Sequence, residues 1–391
     1  MIHVFTGPTL AREDPVLDDH RVAVRPPARH GDFFRTRIAD TDTAVIIDGA
    51  YHHAPALRHK EIIAAMARGV RVIGASSIGA LRAAELASCG MVGVGSVFMA
   101  YAAGAIDGDD EVAVAQSAGS DHRSCTWPLV NLRHCAQLAV EAEVIDSTTS
   151  AMMLEKLRSV YYAHRSMTAV ELVGRVSGAH RFTDWLRARR EEDPHFGDLK
   201  RTDALLALKA ALLLDGVHSA PVKGLVWRTP NYRRWANASV TSVVDGVRMP
   251  IRDRVVYQQV FDPEFKGVWW RHLNAVGIGT LPYTLASAVI RPAVDLTDEA
   301  TARRLLAHET PADRAAIRQY LALNEQRAHA ERFFPEAIRK SVARQVLAAA
   351  WALSPDDLDV EAWARGFHGE QGAIEAVKPF VLGFLDEQEA S

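Results

Sequence analysis

The segment Gly74-Ala-Ser-Ser-Ile-Gly79 combines residue types and spacing that suit acyl chemistry. It follows Val70 to Ile73, an apolar run that reads as a buried strand, and leads into Ile78 to Ala87, an alanine-rich helical pattern. A strand turning sharply into a helix exposes Ser76 and Ser77 at the carboxyl edge of a sheet, where open α/β folds bind ligands. It also aims the unpaired N–H groups of the helix N-terminus at whatever sits there. Ala75-Ser76-Ser77-Ile78-Gly79 differs from the hydrolase elbow G-x-S-x-G only in Ala75, which replaces the first glycine. Ser77 is then the nucleophile, Ser76 lies one register away, and the N–H of Ile78 is one oxyanion donor. The same residues fit two plainer roles: a serine that caps the helix above a close-packed Gly79, or an anion-binding turn without covalent chemistry.

Other polar residues are expected at this edge. Asp48 ends the apolar run Ala44 to Ile47, and a right-handed crossover makes that strand parallel to Val70–Ile73. Asp48 and Ser77 then emerge together, as does the turn Gly7-Pro8-Thr9 after Ile2 to Phe5. The crossover carries His52, His53, His59, Lys60 and Glu61, of which His59, Lys60 or His53 could act as the base. A lone histidine or lysine at such a place is usually a solvated helix residue. Three histidines could also suggest zinc, but nothing at ligand spacing completes such a site, so no metal is expected.

The elements that must position these residues follow from periodicity. Short apolar runs at 2–5, 21–24, 44–47 and 70–73 alternate with helical patterns, as in a parallel sheet flanked by helices. The helix between the third and fourth strands has Pro55 near its first turn, an apolar stripe of Ile62, Ile63 and Met66, and Gly69 as its terminator. Leu129 to Ala142 and Leu199 to Leu214 also read as helices, with Leu205, Leu208 and Leu212 on one face of the latter. The character shifts near 216–222. Beyond it lie six of the eight tryptophans, a possible hairpin turn at Asp245-Gly246, and helical patterns from Thr297 onward. The expected fold is α/β, with a mostly parallel sheet of four or five strands over residues 1–216. A mainly helical region with short β segments follows over 222–391.

Composition narrows the function. The 391 residues are 48% hydrophobic and 24% charged with a formal net charge of -3, which argues against a dedicated nucleic-acid binder. Three unpaired-looking cysteines, Cys89, Cys125 and Cys135, fit a reducing cytoplasm. Neither a signal-peptide pattern nor an apolar run of membrane-spanning length is visible. Asp107-Gly-Asp-Asp-Glu111 is an acidic turn that could hold a divalent cation, although acidic turns are commonly just solvated. Gly90 to Gly95 carries three glycines without a visible strand–glycine–helix context, and no Walker A sequence or CxxC occurs, so no cofactor is expected.

The N-terminal half resembles the TfuA-like core family. The likeness covers roughly residues 1–215 and is carried by Phe5-Thr-Gly-Pro-Thr-Leu10, Ile46-Ile-Asp-Gly49, Pro55 with His59-Lys-Glu61, and Gly74 to Leu86. Gly90 to Gly95, Tyr101 and Asp109-Asp-Glu111 add to it. The resemblance implies an accessory role beside a YcaO-type enzyme in backbone thioamidation of ribosomally made peptides. It also implies release of sulfide from a thiocarboxylated, ubiquitin-like sulfur carrier protein, with the precursor peptide engaged through the YcaO partner. A thiocarboxylate is an acyl compound, so a hydrolase with Ser77 or Ser76 as nucleophile suits it, assisted by His59, Lys60 and Asp48. Gly7, Pro8, Thr9, Gly49, Ile78 and Arg82 are the corresponding substrate-binding residues. The alternative is a noncatalytic subunit that docks to the YcaO enzyme.

Overall fold

The computed structural model describes residues 1–35, 38–50, 55–117, 124–217, 229–277, 294–331, 334–354 and 357–390. The chain divides into two compact units, Met1–Trp227 and Arg228–Ser391. The first is built on five parallel strands: β1 Ile2–Phe5, β2 Val22–Arg25, β3 Thr43–Ile46, β4 Arg71–Ala75 and β5 Val92–Val94. Their order is β2-β1-β3-β4-β5. Register pairs Phe5 with Arg25 and Ile46, and Ile46 with Gly74, so these strands end at a common edge. Sequence periodicity anticipates four of them to within two residues. It misses β5, whose Val-Gly-Val is too short and glycine-rich to read as a strand. Gly93 is required there, because a Cβ would lie 2.1 Å from the ring of Phe98.

Side chains alternate across the sheet with period two. On one face Phe5, Ile46 and Val72 pack with Ile62 of α2 (His59–Arg68) and Ile78 of α3 (Ile78–Leu86). Helix α1 (Asp32–Arg35) adds Phe33 there. On the other face Val4, Val45, Ile47, Ile73 and Ala75 pack against Ala204, Ala207, Leu208 and Ala211. Helix α2 ends on Gly69 at φ 114°, the left-handed terminator expected from the sequence. It begins at His59, however, so Pro55 lies four residues ahead of it in the preceding loop rather than in its first turn. Helix α3 lies hard against the sheet: a Cβ on Gly79 would be 1.7 Å from the Ile46 carbonyl oxygen.

The rest of the unit is helical, with α4 (Ser96–Ala102), α5 (Leu129–Glu141), α6 (Ser147–Ser159), α7 (Met167–Val176), α8 (His180–Glu192) and α9 (Leu199–Leu213). Helices α5 to α8 share a core around Leu132, Met153, Val170, Phe182 and Leu186. Helix α9 is the one that returns to cover the sheet.

Among its described residues the second unit contains one hairpin, β6 (Thr241–Val244) and β7 (Val247–Pro250). Its turn is the Asp245-Gly246 pair, with φ of 51° and 75°. Two positive φ values in succession suit a type I′ turn and explain this dipeptide. Its described α-helices are α10 (Pro230–Ser239), α11 (Ile251–Phe261), α12 (Phe265–Ala275), α13 (Glu299–Leu305), α14 (Pro311–Glu331), α15 (Lys340–Trp351), α16 (Leu358–Ala364), α17 (Gly369–Val377) and α18 (Val381–Ala390). Trp351 is buried in one core, where its indole N–H donates to the Val260 carbonyl at 2.9 Å. Trp269 is buried in a second core between α12 and α13. Beside it His272 is buried with neither ring nitrogen hydrogen-bonded among the described residues.

Two stability tests follow from this packing. Gly79→Ala should cost about 2–3 kcal/mol in denaturant unfolding of the intact chain, because the added methyl meets backbone that cannot yield. Burial, reinforced by the Arg304 charge, lowers the pKa of His272. A histidine harder to protonate when folded makes the unfolded chain bind more protons. Stability therefore falls as pH drops below the unfolded value of about 6.5 and levels off below the folded one. Thermal melts of His272→Leu between pH 5 and 8 should show a shallower loss on the acid side than the parent. An unchanged slope would remove His272 from the account.

Candidate functional site

The strand order reverses between β1 and β3, because β2 lies on one side of β1 and β3 to β5 on the other. In open parallel sheets the crevice beyond such a switch point is where ligands bind. Asp48, two residues past β3, stands there and is buried. Its Oδ2 accepts from the N–H groups of Gly7 at 3.0 Å and Thr9 at 2.9 Å, and its Oδ1 from the Thr9 hydroxyl at 2.7 Å. The Gly7-Pro8-Thr9 turn thus wraps a carboxylate. Pro8 suits a place with no N–H to satisfy.

This corrects one expectation. The Gly7 and Thr9 N–H groups are engaged by Asp48 and do not face an incoming oxygen. Asp48 is a residue that positions this loop. A second charge completes the arrangement. Lys200, in the first turn of α9, is buried with its Nζ 3.7 Å from Asp48 Oδ1, and it donates to the Val112 carbonyl at 3.0 Å. Burial lowers its pKa, opposed by the Asp48 and Asp198 carboxylates. Lys200 was missed in the sequence because a lysine in a helical pattern reads as solvated.

Ser76 and Ser77 do lie at this edge, one strand from Asp48, but they are not exposed: Ser76 is 0% and Ser77 2% accessible. Ser76 has φ 69°, and the Ser77 N–H donates back to the Ala75 carbonyl at 2.7 Å. That is a three-residue turn of the rare, strained hand, costing about 1–3 kcal/mol for a residue with a Cβ. The Ser76 hydroxyl has no hydrogen-bond partner among the described residues. The Ser77 side chain does not cap α3, although Ser77 occupies the N-cap position. The plain capping reading is therefore wrong for Ser77. Gly79 N–H reaches the Ile47 carbonyl at 3.3 Å, whereas the Ile78 N–H has no acceptor among the described residues. Gly49 packs beneath Ile78, where a Cβ would lie 2.6 Å from its side chain.

The proposed bases fare differently. The His59 Nε2 lies 2.8 Å from Glu85, which also pairs with Arg82, and Arg82 Nε donates to the Leu57 carbonyl at 3.2 Å. Glu85 is eight residues along α3 from Ser77, about 12 Å at the helical rise. His59 and Arg82 thus form a cluster on the flank of α3 rather than at its N-terminus. Lys60 is half-buried in the first turn of α2. His52 and His53 lie outside the described residues. Glu61 is buried, pairs with His30 Nδ1 and accepts from the Gly31 N–H at 2.8 Å. It holds the loop after β2.

Two further motifs are resolved. Gly90 to Gly95 does belong to a strand–glycine–helix unit, contrary to the sequence reading. The N-terminus of α4 is already occupied by a carboxylate: Asp203 accepts from Ser96 N–H at 2.9 Å and Val97 N–H at 2.7 Å. A Cβ on Gly95 would lie 2.2 Å from that carboxyl group, so no phosphate fits there. In the acidic turn, Glu111 forms a two-pronged pair with Arg133 and Asp110 pairs with buried Arg165 at 2.8 Å. No three His, Cys, Asp or Glu side chains cluster as metal ligands among the described residues. Cys135 is buried, which pushes its thiol up to about 12, while Cys89 is half-buried and Cys125 exposed.

The Asp48–Lys200 pair makes an asymmetric prediction. Asp48→Ala removes the acceptor for three donors and leaves Lys200 buried without its partner, at a cost of about 3 kcal/mol or more in denaturant unfolding. Lys200→Met should cost less, because Asp48 keeps its hydrogen bonds. Equal losses in the two variants would mean that the pair is not the centre of the loop's stability.

The family model for TfuA-like protein matches residues 48–166. Comparison with curated proteins gives no match. No helix among the described residues is long and apolar enough to cross a membrane. The matched span begins at Asp48 and includes the Ser76–Ile78 turn, α3, α4 and the acidic turn, whereas the Phe5–Leu10 motif and Lys200 lie outside it. Over residues 48–166 the chain is thus similar to the TfuA-like family.

Proposed function

We propose that this protein supports YcaO-dependent backbone thioamidation of a ribosomal peptide by releasing sulfide from a thiocarboxylated carrier protein. The observation that carries the reading is the Ser76–Ile78 turn. It sets a hydroxyl that does not cap its helix beside an N–H that has no acceptor among the described residues, at the switch-point edge of the sheet. In this reaction the Ser77 oxygen attacks the thiocarboxylate carbon while the Ile78 N–H receives the developing oxyanion. The C–S bond breaks, the serine proton leaves with the sulfur as hydrosulfide, and an acyl ester remains on Ser77. Water then cleaves the ester to a carboxylate and one proton. Because the leaving sulfur takes the serine proton, a strong base is not needed. The N-terminus of α3 favours the anionic substrate electrostatically. Asp48 holds the loop over the site.

Burial of both hydroxyls favours a second reading, in which the turn is closed in the working protein and the chain acts as a noncatalytic subunit docked to the YcaO enzyme. Sulfide released by purified protein from a thiocarboxylated carrier separates the two. On the hydrolase reading, Ser77→Ala lowers release at least about 1000-fold. Ser76→Ala belongs beside it, because the strained residue is Ser76. If both variants are folded and release sulfide at the parent rate, serine catalysis is excluded. A parent protein that releases none, yet raises the rate of its YcaO partner, would establish the docking role.

A further inference from the structure

Buried arginines in the second unit are matched by carboxylates, with one exception. Arg254 forms a two-pronged pair with Glu309. Arg365 pairs with Glu361 and donates to the carbonyls of Gln259 and Asp262. Arg304, on α13, makes no ion pair among the described residues. One terminal nitrogen donates to the Thr301 hydroxyl at 3.0 Å, and its Nε is buried without an acceptor among the described residues.

Further polar groups without partners lie in the same core. Helix α12 carries Trp269 and His272 one turn apart, each 2% exposed, with ring centroids 5.2 Å apart. The Trp269 indole N–H and both ring nitrogens of His272 have no hydrogen-bond partner among the described residues. Helix α13 packs on α12 through Ala302 and Leu305. Burial and then the Arg304 charge lower the His272 pKa, so the guanidinium acts on that ring. Of the seven buried side-chain polar atoms without a partner among the described residues, four belong to these three side chains, and the rest are scattered singly over Ser76, Ser177 and Asn324. The indole is also held in place: a Cβ on Gly366 would lie 2.8 Å from its ring.

The chemistry of this set is one-sided. An indole and a guanidinium can only donate, and a neutral imidazole offers one donor and one acceptor. Buried donors are costly when unmet, and a buried guanidinium without a counter-charge is more so. What answers them together is an acceptor that carries negative charge and is small enough for a packed core. A water would answer the hydrogen bonds and leave the charge unmatched.

We infer that the core between α12 and α13 binds a small monovalent anion of the halide class, held by the Trp269 indole N–H, a ring N–H of His272 and the Arg304 guanidinium. The anion gives Arg304 the counter-charge that Glu309 gives Arg254 and Glu361 gives Arg365, and it fastens α13 to α12. This site belongs to the second unit and does not rest on the proposed function.

Thermal melts of the full-length chain test it, with sodium held constant and chloride replaced stepwise by gluconate, which is too bulky for a packed core. The Tm should rise saturably with chloride, by roughly 2–4 °C at ten times Kd. Arg304→Met should abolish the rise. Trp269→Phe keeps an aromatic ring but removes the N–H, and should weaken chloride binding roughly tenfold. Arg303→Met alters the neighbouring arginine, an exposed one paired with Glu299, and should respond as the parent does. Should Arg304→Met fail to fold, a bromide-soaked crystal of the parent decides, with an anomalous peak expected beside Trp269 Nε1 and Arg304 Nε. The inference is overturned if chloride leaves Tm unchanged, if Arg304→Met keeps the response, if Arg303→Met loses it as well, or if the crystal shows a water there and no bromide.

Discussion

The carboxyl edge of the sheet depends on one buried carboxylate. A charge removed from water is tolerated only when hydrogen bonds and a counter-charge replace its hydration. Asp48 obtains these from the Gly7–Thr9 turn and from Lys200. Four stretches distant in sequence are thereby brought to one point: the loop after β1, the residue past β3, the Val112 carbonyl and the first turn of α9. No apolar contact could fix them so specifically, because hydrophobic packing sets distance but not direction. The crevice at the switch point owes its shape to this arrangement.

Carboxylates serve the same end elsewhere in the unit. Asp203 closes the N-terminus of α4, Glu61 holds the loop after β2, and Glu111 and Asp110 anchor the acidic turn through arginines. Acids that might be taken from the sequence for ligands or catalysts are in fact the fasteners of loops. This makes the N-terminus of α3 conspicuous. The N-terminus of α4 leaves the same sheet edge with a carboxylate already in place. That of α3 has no capping side chain, and its first N–H is without an acceptor among the described residues. Helix N-termini attract negative charge. Of the two, only that of α3 is left available for an anion that the protein does not itself supply.

Much of this was legible in the sequence, and the misses share a physical cause. The strands announced themselves as apolar runs, Gly69 as a helix terminator and Asp245-Gly246 as a hairpin, because each depends on residues near it in the chain. Lys200 and Asp203 did not, because a charged residue on a helix is buried or solvated according to what lies opposite. Here the partners are about 150 and 100 residues away, at Asp48 and at Ser96–Val97. The same holds for His59, which the sequence placed near Ser77 and which the pairing with Glu85 carries along the flank of α3. At the elbow, the pattern located the strand–turn–helix correctly. It could not say that Ser76 rather than Ser77 takes the positive φ, since either serine can follow the strand.

The strained turn and the close-packed helix bear on one another. With Gly79 against the Ile46 carbonyl and Gly74 against the Gly79 carbonyl, α3 cannot retreat from the sheet. Joining a strand to a helix held so near it requires a sharp reversal, and Ser76 provides it at the cost of a positive φ. A glycine would adopt that conformation without strain. A serine there brings a hydroxyl that is buried and has no hydrogen-bond partner among the described residues, two unfavourable features in one turn. The rigidity of α3 also means that the Ile78 N–H holds its direction whether or not anything is bound. A donor fixed in advance stabilises a developing charge without reorganising at the moment of reaction. Two things therefore separate this edge from an acyl site: access to the two buried serines, and a base beside them, because His59 is held by Glu85 on the flank of α3.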